Sequence, residues 1–180
     1  MATLSIELPS QRSQTTFNLR RWEELLRDPV LAKVEGRIET DRHGQIIMSP
    51  PPAASHGGYQ FEIGFLLRSN IPTGRVLSEC PISTADGVRA ADVAWASPDC
   101  IAELGNRVCF PRSPEICVEV ISPANSKSEI ADKMALYFDA GAKEVWTCSP
   151  RGLMKFFAPG SIPLERSRLC PRFPIKVELR

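Results

Sequence analysis

Histidine is scarce in this chain, two residues in 180, and none of its six cysteines stands in C-x-x-C spacing with another. A structural zinc site therefore has few ligands to draw on. A disulfide framework is not expected either, since such frameworks belong mostly to small secreted chains. Cys117 and Cys148 lie in apolar strand-like runs, where a thiol behaves as a small hydrophobe, so Cys80, Cys100, Cys109, Cys117, Cys148 and Cys170 read as buried free thiols. The first residues, MATLSIELPSQRSQ, lack a basic start followed by a long apolar stretch, and later apolar runs fall far short of a spanning helix. The expectation is a soluble, cytoplasmic protein with no membrane partner. Charge of one sign is missing too: the formal net charge is +1. Any attraction to nucleic acid must then come from a local patch or a metal. There is no internal repeat, and the proline-rich run from Ser49 to Ala53 is too short for an interdomain linker.

What is present is ordinary globular material, 43% hydrophobic and 24% charged, enough for one core. We expect a single domain over residues 1–180, with an N-terminal helix and hairpin in 1–50, a core in 55–149 and C-terminal strands in 150–180. Trp22, Leu25 and Leu26 predict a short amphipathic helix from Arg20 to Leu26, with Asn18 as a candidate cap. Runs at 34–40 and 45–48 flank Asp41-Arg42-His43-Gly44, a connection suited to a hairpin. Ser55 can cap a helix reaching about Ser69, carried by Tyr59, Ile63, Leu66 and Leu67. Strands at 75–84 and 88–96 share the Asp86-Gly87 turn signal. The run 115–121 reads as a central strand, 127–140 as a helix ending at Gly141, and 144–149 as a strand. Strand, helix, strand implies a crossover that sets the last strand parallel to the central one. Residues 153–158 add a hairpin strand and 175–179 an edge strand. The predicted fold is α+β with a mixed sheet.

Three residues sit where their chemistry is out of place. Asp92 lies in the strand Val88-Arg89-Ala90-Ala91-Asp92-Val93-Ala94, where alternation groups it with Val88, Ala90 and Ala94, small neighbours that leave room beside a carboxylate. Glu119 lies inside ICVEVI on the face of Cys117 and Ile121. Burying that carboxylate without a cation would cost several kcal/mol, so a lysine, an arginine or a metal must stand near it. Lys133 follows Ile130 and precedes Met134 and Tyr137 in the spacing of an inward helical stripe, although a lone lysine there commonly snorkels to water. Two carboxylates on neighbouring strands and an inward lysine can converge at one end of the sheet. With backbone carbonyl and water, they would make a partial octahedral shell suited to Mg2+, with Mn2+ as a substitute. Phosphodiester hydrolysis is the matching reaction class.

These residues resemble the Uma2 family, formerly DUF820, a branch of the PD-(D/E)XK nuclease superfamily. The resemblance rests on Ile46-Ile47-Met48-Ser49-Pro50-Pro51 with His56 shortly after, Arg89-Ala90-Ala91-Asp92-Val93-Ala94, Val118-Glu119-Val120-Ile121-Ser122-Pro123, and the run KMALYFDAGAKEVWTCSP from Lys133 to Pro150. It implies a restriction-endonuclease-like core of helix, three-stranded meander, helix and strand. It implies Asp92 and Glu119 as metal-binding acids and the Val120 carbonyl as a further ligand. The superfamily's lysine two residues after the glutamate is Ile121 here, so Lys133 has to supply the amine from the helix. His56 matches a family histidine, Glu62 stands where related nucleases carry another acid, and Tyr137 follows Lys133 by four. DNA is the implied substrate, and Arg151, Lys155, Arg166, Arg168, Arg172, Lys176 and Arg180 against Glu165 and Glu178 leave the last thirty residues locally basic. A homodimer or higher homo-oligomer is expected, since two copies could address both strands. Two alternatives stand beside the endonuclease: a catalytically silent nuclease-fold binding or assembly module, and a different metal-dependent phosphohydrolase.

Overall fold

The phase of the apolar residues along the central strand dictates a sandwich. In the computed structural model, which describes residues 10–123 and 125–179, that strand is β5, Ile116–Val120. Ile116, Val118 and Val120 join one core cluster with Tyr59, Ile63 and Leu67 of a long helix, while Cys117 joins another with Ile130, Met134 and Tyr137 of a second helix. One sheet thus separates two helices.

In chain order the elements are α1 (Gln11–Leu26), a 3-10 turn (Leu31–Lys33), β1 (Arg37–Thr40), β2 (Ile46–Ser49), α2 (Ala54–Asn70), β3 (Arg75–Thr84), β4 (Gly87–Ala96), α3 (Pro98–Leu104), β5, α4 (Lys127–Asp139), β6 (Glu144–Cys148), β7 (Met154–Ala158) and β8 (Ile162–Leu164). The main sheet runs β3-β4-β5-β6-β7-β8, and β1-β2 form a separate hairpin. Within the main sheet β5 and β6 pair in parallel, as the crossover through α4 requires, and the other neighbours are antiparallel. Among the described residues no helix is long and apolar enough to cross a membrane. All six cysteines are buried and free.

Several local expectations change. The first helix begins nine residues before Arg20, capped by Ser10, whose side chain accepts the Ser13 amide. Asn18 is therefore not a cap. It lies buried inside α1, and its Nδ2 donates to Ser83 Oγ at 3.0 Å and to the Thr84 and Gly87 carbonyls. Ser55 falls in the first turn of α2, whose N-cap is Ala53 with no side-chain bond. Residues 175–179 form no edge strand, because Lys176 makes only an isolated bridge to Leu153 and β8 covers β7 instead. Ala124, in the stop after β5, lies outside the described residues, as do residues 1–9 and Arg180.

Strict alternation also fails in the β3-β4 pair, and this failure builds the site. Leu77 and Ala94 pack on the α4 side, yet so do Cys80, Ile82 and Ala91, which are out of phase with them. The change of phase falls at Glu79, a non-glycine residue at φ 50°, and at Asp92, which the pairing register sets opposite it. The simple grouping of Asp92 with Val88, Ala90 and Ala94 on one face does not hold across this change, since Ala94 lies in the cluster on the α4 side and Val88 in a third cluster with Trp22 and Leu25 of α1.

Candidate active site

β4 and β5 pair only from Val93↔Val118 to Trp95↔Ile116, and beyond Val93 the two strands part. The hairpin enters that gap. Ala90 N–H donates to Glu39 Oε1 at 2.9 Å, Val88 N–H to Thr40 Oγ1 at 2.9 Å, and Arg89 Nη1 to the Thr40 carbonyl at 2.6 Å. Gly87 makes this approach possible, since a Cβ there would lie 2.2 Å from the Thr40 carbonyl oxygen. Strand alternation then sends Arg37 and Glu39 the same way, into the gap.

Asp92 sits where a ladder bond would otherwise form. Its Oδ2 accepts the Val120 amide at 2.6 Å, and its Oδ1 accepts Arg37 Nη1 at 2.8 Å with His56 Nε2 3.3 Å away. Gln60 Nε2 reaches the Asp92 carbonyl at 3.3 Å and Glu79 Oε1 at 2.5 Å. Glu119 Oε2 accepts Lys133 Nζ at 2.9 Å, and Oε1 accepts the Tyr137 hydroxyl at 2.7 Å. Lys133 also lies 3.3 Å from Glu39 Oε1 and donates to the Ala90 carbonyl. Asp92 is 1% exposed, Glu119 3% and Lys133 9%. Lys133 does not snorkel outward. It is the cation that the burial of Glu119 demanded.

The charges set one another. Burial pushes Asp92 up, but the His56 bond, Arg37 and the Val120 amide more than offset it and leave the carboxyl below its usual range. Burial pushes Glu119 up to about 7, against the pull of Lys133 and with the help of Asp92. Lys133 is held above its ordinary value because Glu119 and Glu39 outweigh its burial. Asp92 likewise holds His56 above its usual value. Two cavities open beside β1. One of about 330 Å³ reaches Lys133 and Glu39 past Ile47, Arg89 and Asp132. The other, about 270 Å³, reaches Arg37 and Glu79 past Trp22 and Leu25.

Asp92, Glu119 and Lys133 are thus brought together, and His56 and Tyr137 join them. Glu62 does not: it is half-buried on α2 and makes none of these bonds, and Gln60 takes the inward place. Val120 enters through its amide, which holds Asp92. Sequence reasoning missed Arg37, Glu39, Gln60 and Glu79. The alternation Arg37-Ile38-Glu39 was the one available signal, and in a hairpin it reads equally well as a solvated face.

No three His, Cys, Asp or Glu side chains gather into a complete metal cage among the described residues. A hard ion that keeps several waters needs fewer protein ligands. Each ionised carboxylate has about four acceptor positions, so the bonds above leave Asp92 and Glu119 lone pairs to offer. A cation already stands on Asp92 in the form of the Arg37 guanidinium. The carboxylate oxygens of Asp92 and Glu119 are hard donors of the class a divalent ion takes.

Comparison with known proteins bears on the family and the fold. The sequence model of Uma2, described as "Putative restriction endonuclease", matches residues 22–153. A solved structure from Anabaena variabilis ATCC 29413, described as "a putative nuclease belonging to DUF820", is similar at 20% identity and a TM-score of 0.65, over 79% of this chain and 81% of that one. No curated protein matches. The order α2, meander β3-β4-β5, α4, β6 is the restriction-endonuclease-like core.

Proposed function

Because this chain belongs to the Uma2 family, we propose that it is an endonuclease that hydrolyses DNA phosphodiester bonds with a divalent ion, Mg2+ or Mn2+, held by Asp92 and Glu119. One observation carries the reading: two acids from neighbouring strands and a lysine from the crossover helix meet at the place where β4 and β5 part. Asp92, Glu119 and the Val120 carbonyl would supply hard oxygen ligands. A bound divalent ion there supplies Lewis acidity and lowers the pKa of a coordinated water.

The protein's own groups divide the remaining work. Lys133, kept charged by Glu119 and Glu39, would orient the attacking water and stabilise negative charge gathering on the phosphoryl oxygens. The Tyr137 hydroxyl fixes one Glu119 oxygen, leaving the other to Lys133. His56 and the Val120 amide hold the Asp92 carboxylate in orientation. Exposed Arg151, Lys155, Arg166, Arg168, Arg172 and Lys176 offer phosphate contacts, and a second copy would address the other strand.

The test is nicking of supercoiled plasmid with Mg2+, Mn2+ or EDTA. Cleavage that needs the metal and disappears in Asp92→Asn and Glu119→Gln, with far-UV circular dichroism unchanged, is the expected result. Cleavage that survives both substitutions, or no metal-dependent cleavage, overturns the reading. One observation favours a second reading, the silent binding module: every oxygen of both carboxylates already has a donor. That module would bind DNA or a second copy equally well in EDTA and cleave nothing.

A further inference from the structure

The permanently charged cation on Asp92, Arg37, belongs to neither the acids nor the lysine of the proposed machinery. Arg37 comes from the hairpin, its side chain is 18% exposed, and its Nη1 lies 2.8 Å from Asp92 Oδ1. Nη2 donates to the Ala90 carbonyl. Its Nε lies 3.0 Å from Glu79 Oε2 yet makes no hydrogen bond, and is the one buried side-chain nitrogen or oxygen without a hydrogen-bond partner among the described residues. The guanidinium is therefore strung between two carboxylates and fully satisfied by neither. Arginine cannot shed its charge in a protein, so deprotonation of Arg37 offers no route to free the Asp92 carboxylate. Movement or exchange is the remaining route.

Glu79 supplies the place to move to. Its side chain is 47% exposed, its backbone is held at φ 50°, and Gln60 orients its other oxygen. Residues at sparsely populated backbone angles persist when the surroundings over-determine them, and they gather at switch and ligand positions. The cavity of about 270 Å³ beside Arg37 and Glu79 gives the guanidinium room. A divalent ion on Asp92 would face Arg37 at close range, and like charges at that distance in a buried site repel strongly. Lys133 differs from Arg37 in having Glu39 as a second carboxylate, 3.3 Å away, that keeps it in place beside Glu119.

We propose that Arg37 is a positioning residue that occupies the divalent-cation place on Asp92 in the metal-free protein, and that metal binding moves its guanidinium onto Glu79. Arg37 then sets how tightly the metal is held and keeps the buried acid paired until metal arrives. This rests on the metal-dependent reading above, with Asp92 as ligand. Glu79 acts through Arg37.

The experiment is Mn2+ titration of the full chain, without DNA, by electron paramagnetic resonance of free Mn2+ and by calorimetry, with thermal melting to confirm folding. Arg37→Gln is expected to tighten Mn2+ at least about tenfold, and Glu79→Gln to weaken it several-fold. In the double variant Glu79→Gln should have no further effect, because its partner is gone. Unchanged or weaker binding in Arg37→Gln overturns the proposal, and so does a Glu79→Gln effect that persists without Arg37. If Arg37→Gln does not fold, Arg37→Lys replaces it, with about a threefold rise expected and no rise overturning the proposal. Asp92→Asn separates the two failures. If that variant keeps wild-type Mn2+ affinity, the metal reading fails and this proposal with it; if it loses Mn2+ while Arg37→Gln binds like wild type, this proposal alone fails.

Discussion

The two ends of β5 bury acids in opposite ways. Just before the strand, Glu115 is 4% exposed and accepts the Ser97 amide at 2.9 Å and the Ser97 hydroxyl at 2.6 Å. Beside it, Glu144 at the start of β6 is 2% exposed and accepts Trp146 Nε1 and the amides of Arg168 and Leu169. These donors are neutral dipoles fixed by the backbone and by packing. At the far end Asp92 and Glu119 are equally buried, but Arg37, His56 and Lys133 meet them. Burial of an acid therefore does not mark a site; the kind of partner does. Glu115 and Glu144 are held by dipoles alone, whereas Asp92 and Glu119 each keep one oxygen on a dipole, the Val120 amide or the Tyr137 hydroxyl, and the other on a cation.

The sharpest way to break this contrast is activity. Glu119→Gln should lower metal-dependent nicking by about a thousandfold, the scale of losing a key charge-stabilising group, while Glu115→Gln leaves the rate within about threefold. Equal losses at both ends would erase the distinction. Next in size is stability. Lys133→Met leaves Glu119 buried without its cation and should cost about 3 kcal/mol in urea unfolding, the scale of breaking a buried pair. Adding Glu119→Gln should restore much of it. Glu144→Gln should cost somewhat less, about 2 kcal/mol, because its amide NH2 faces donors where an acceptor was needed. It should leave nicking unchanged, which is the readout that separates a structural acid from a working one.

How far the sequence revealed these ends follows from their physics. Glu119 and Lys133 were legible because each breaks the period of a regular element, ICVEVI and the Ile130-Met134-Tyr137 stripe. The order of long helix, strand pair, central strand, helix and parallel strand was legible from the same periodicities. Arg37 and Glu39 were not, since their role arises from docking a four-residue strand beside the free edge of β4, a tertiary event with no local period. The phase change at Glu79 and Asp92 was hidden because a positive φ at glutamate has no sequence signature. α3 was overlooked although Ser97-Pro98 is a good helix start. Glu115, the acid that Ser97 holds, was for that reason read as strand alone.

The subtlest difference between the two ends is their response to pH in metal-free protein. Although burial pushes Glu115 up, the two Ser97 bonds hold it below its ordinary value of 4.5, so the folded state favours its ionised form. Its contribution is present above about pH 4.5 and is lost as pH falls through the lower folded value. Glu119 runs the other way. With its folded value near 7, the native state binds the extra proton between about 4.5 and 7, so stability falls as pH rises through that window. His56, raised from 6.5 by Asp92 against its burial, adds to the same downward slope at higher pH. Urea midpoints measured in EDTA from about pH 3 to 8 should therefore lose their alkaline-side decline in part in Glu119→Gln and their acid-side decline in part in Glu115→Gln. A Glu119→Gln curve parallel to wild type from 4.5 to 7 would mean that Lys133 keeps Glu119 ionised throughout. The far end of β5 would then hold its acid as firmly charged as the near end does, and the two ends would differ in partner but not in proton affinity.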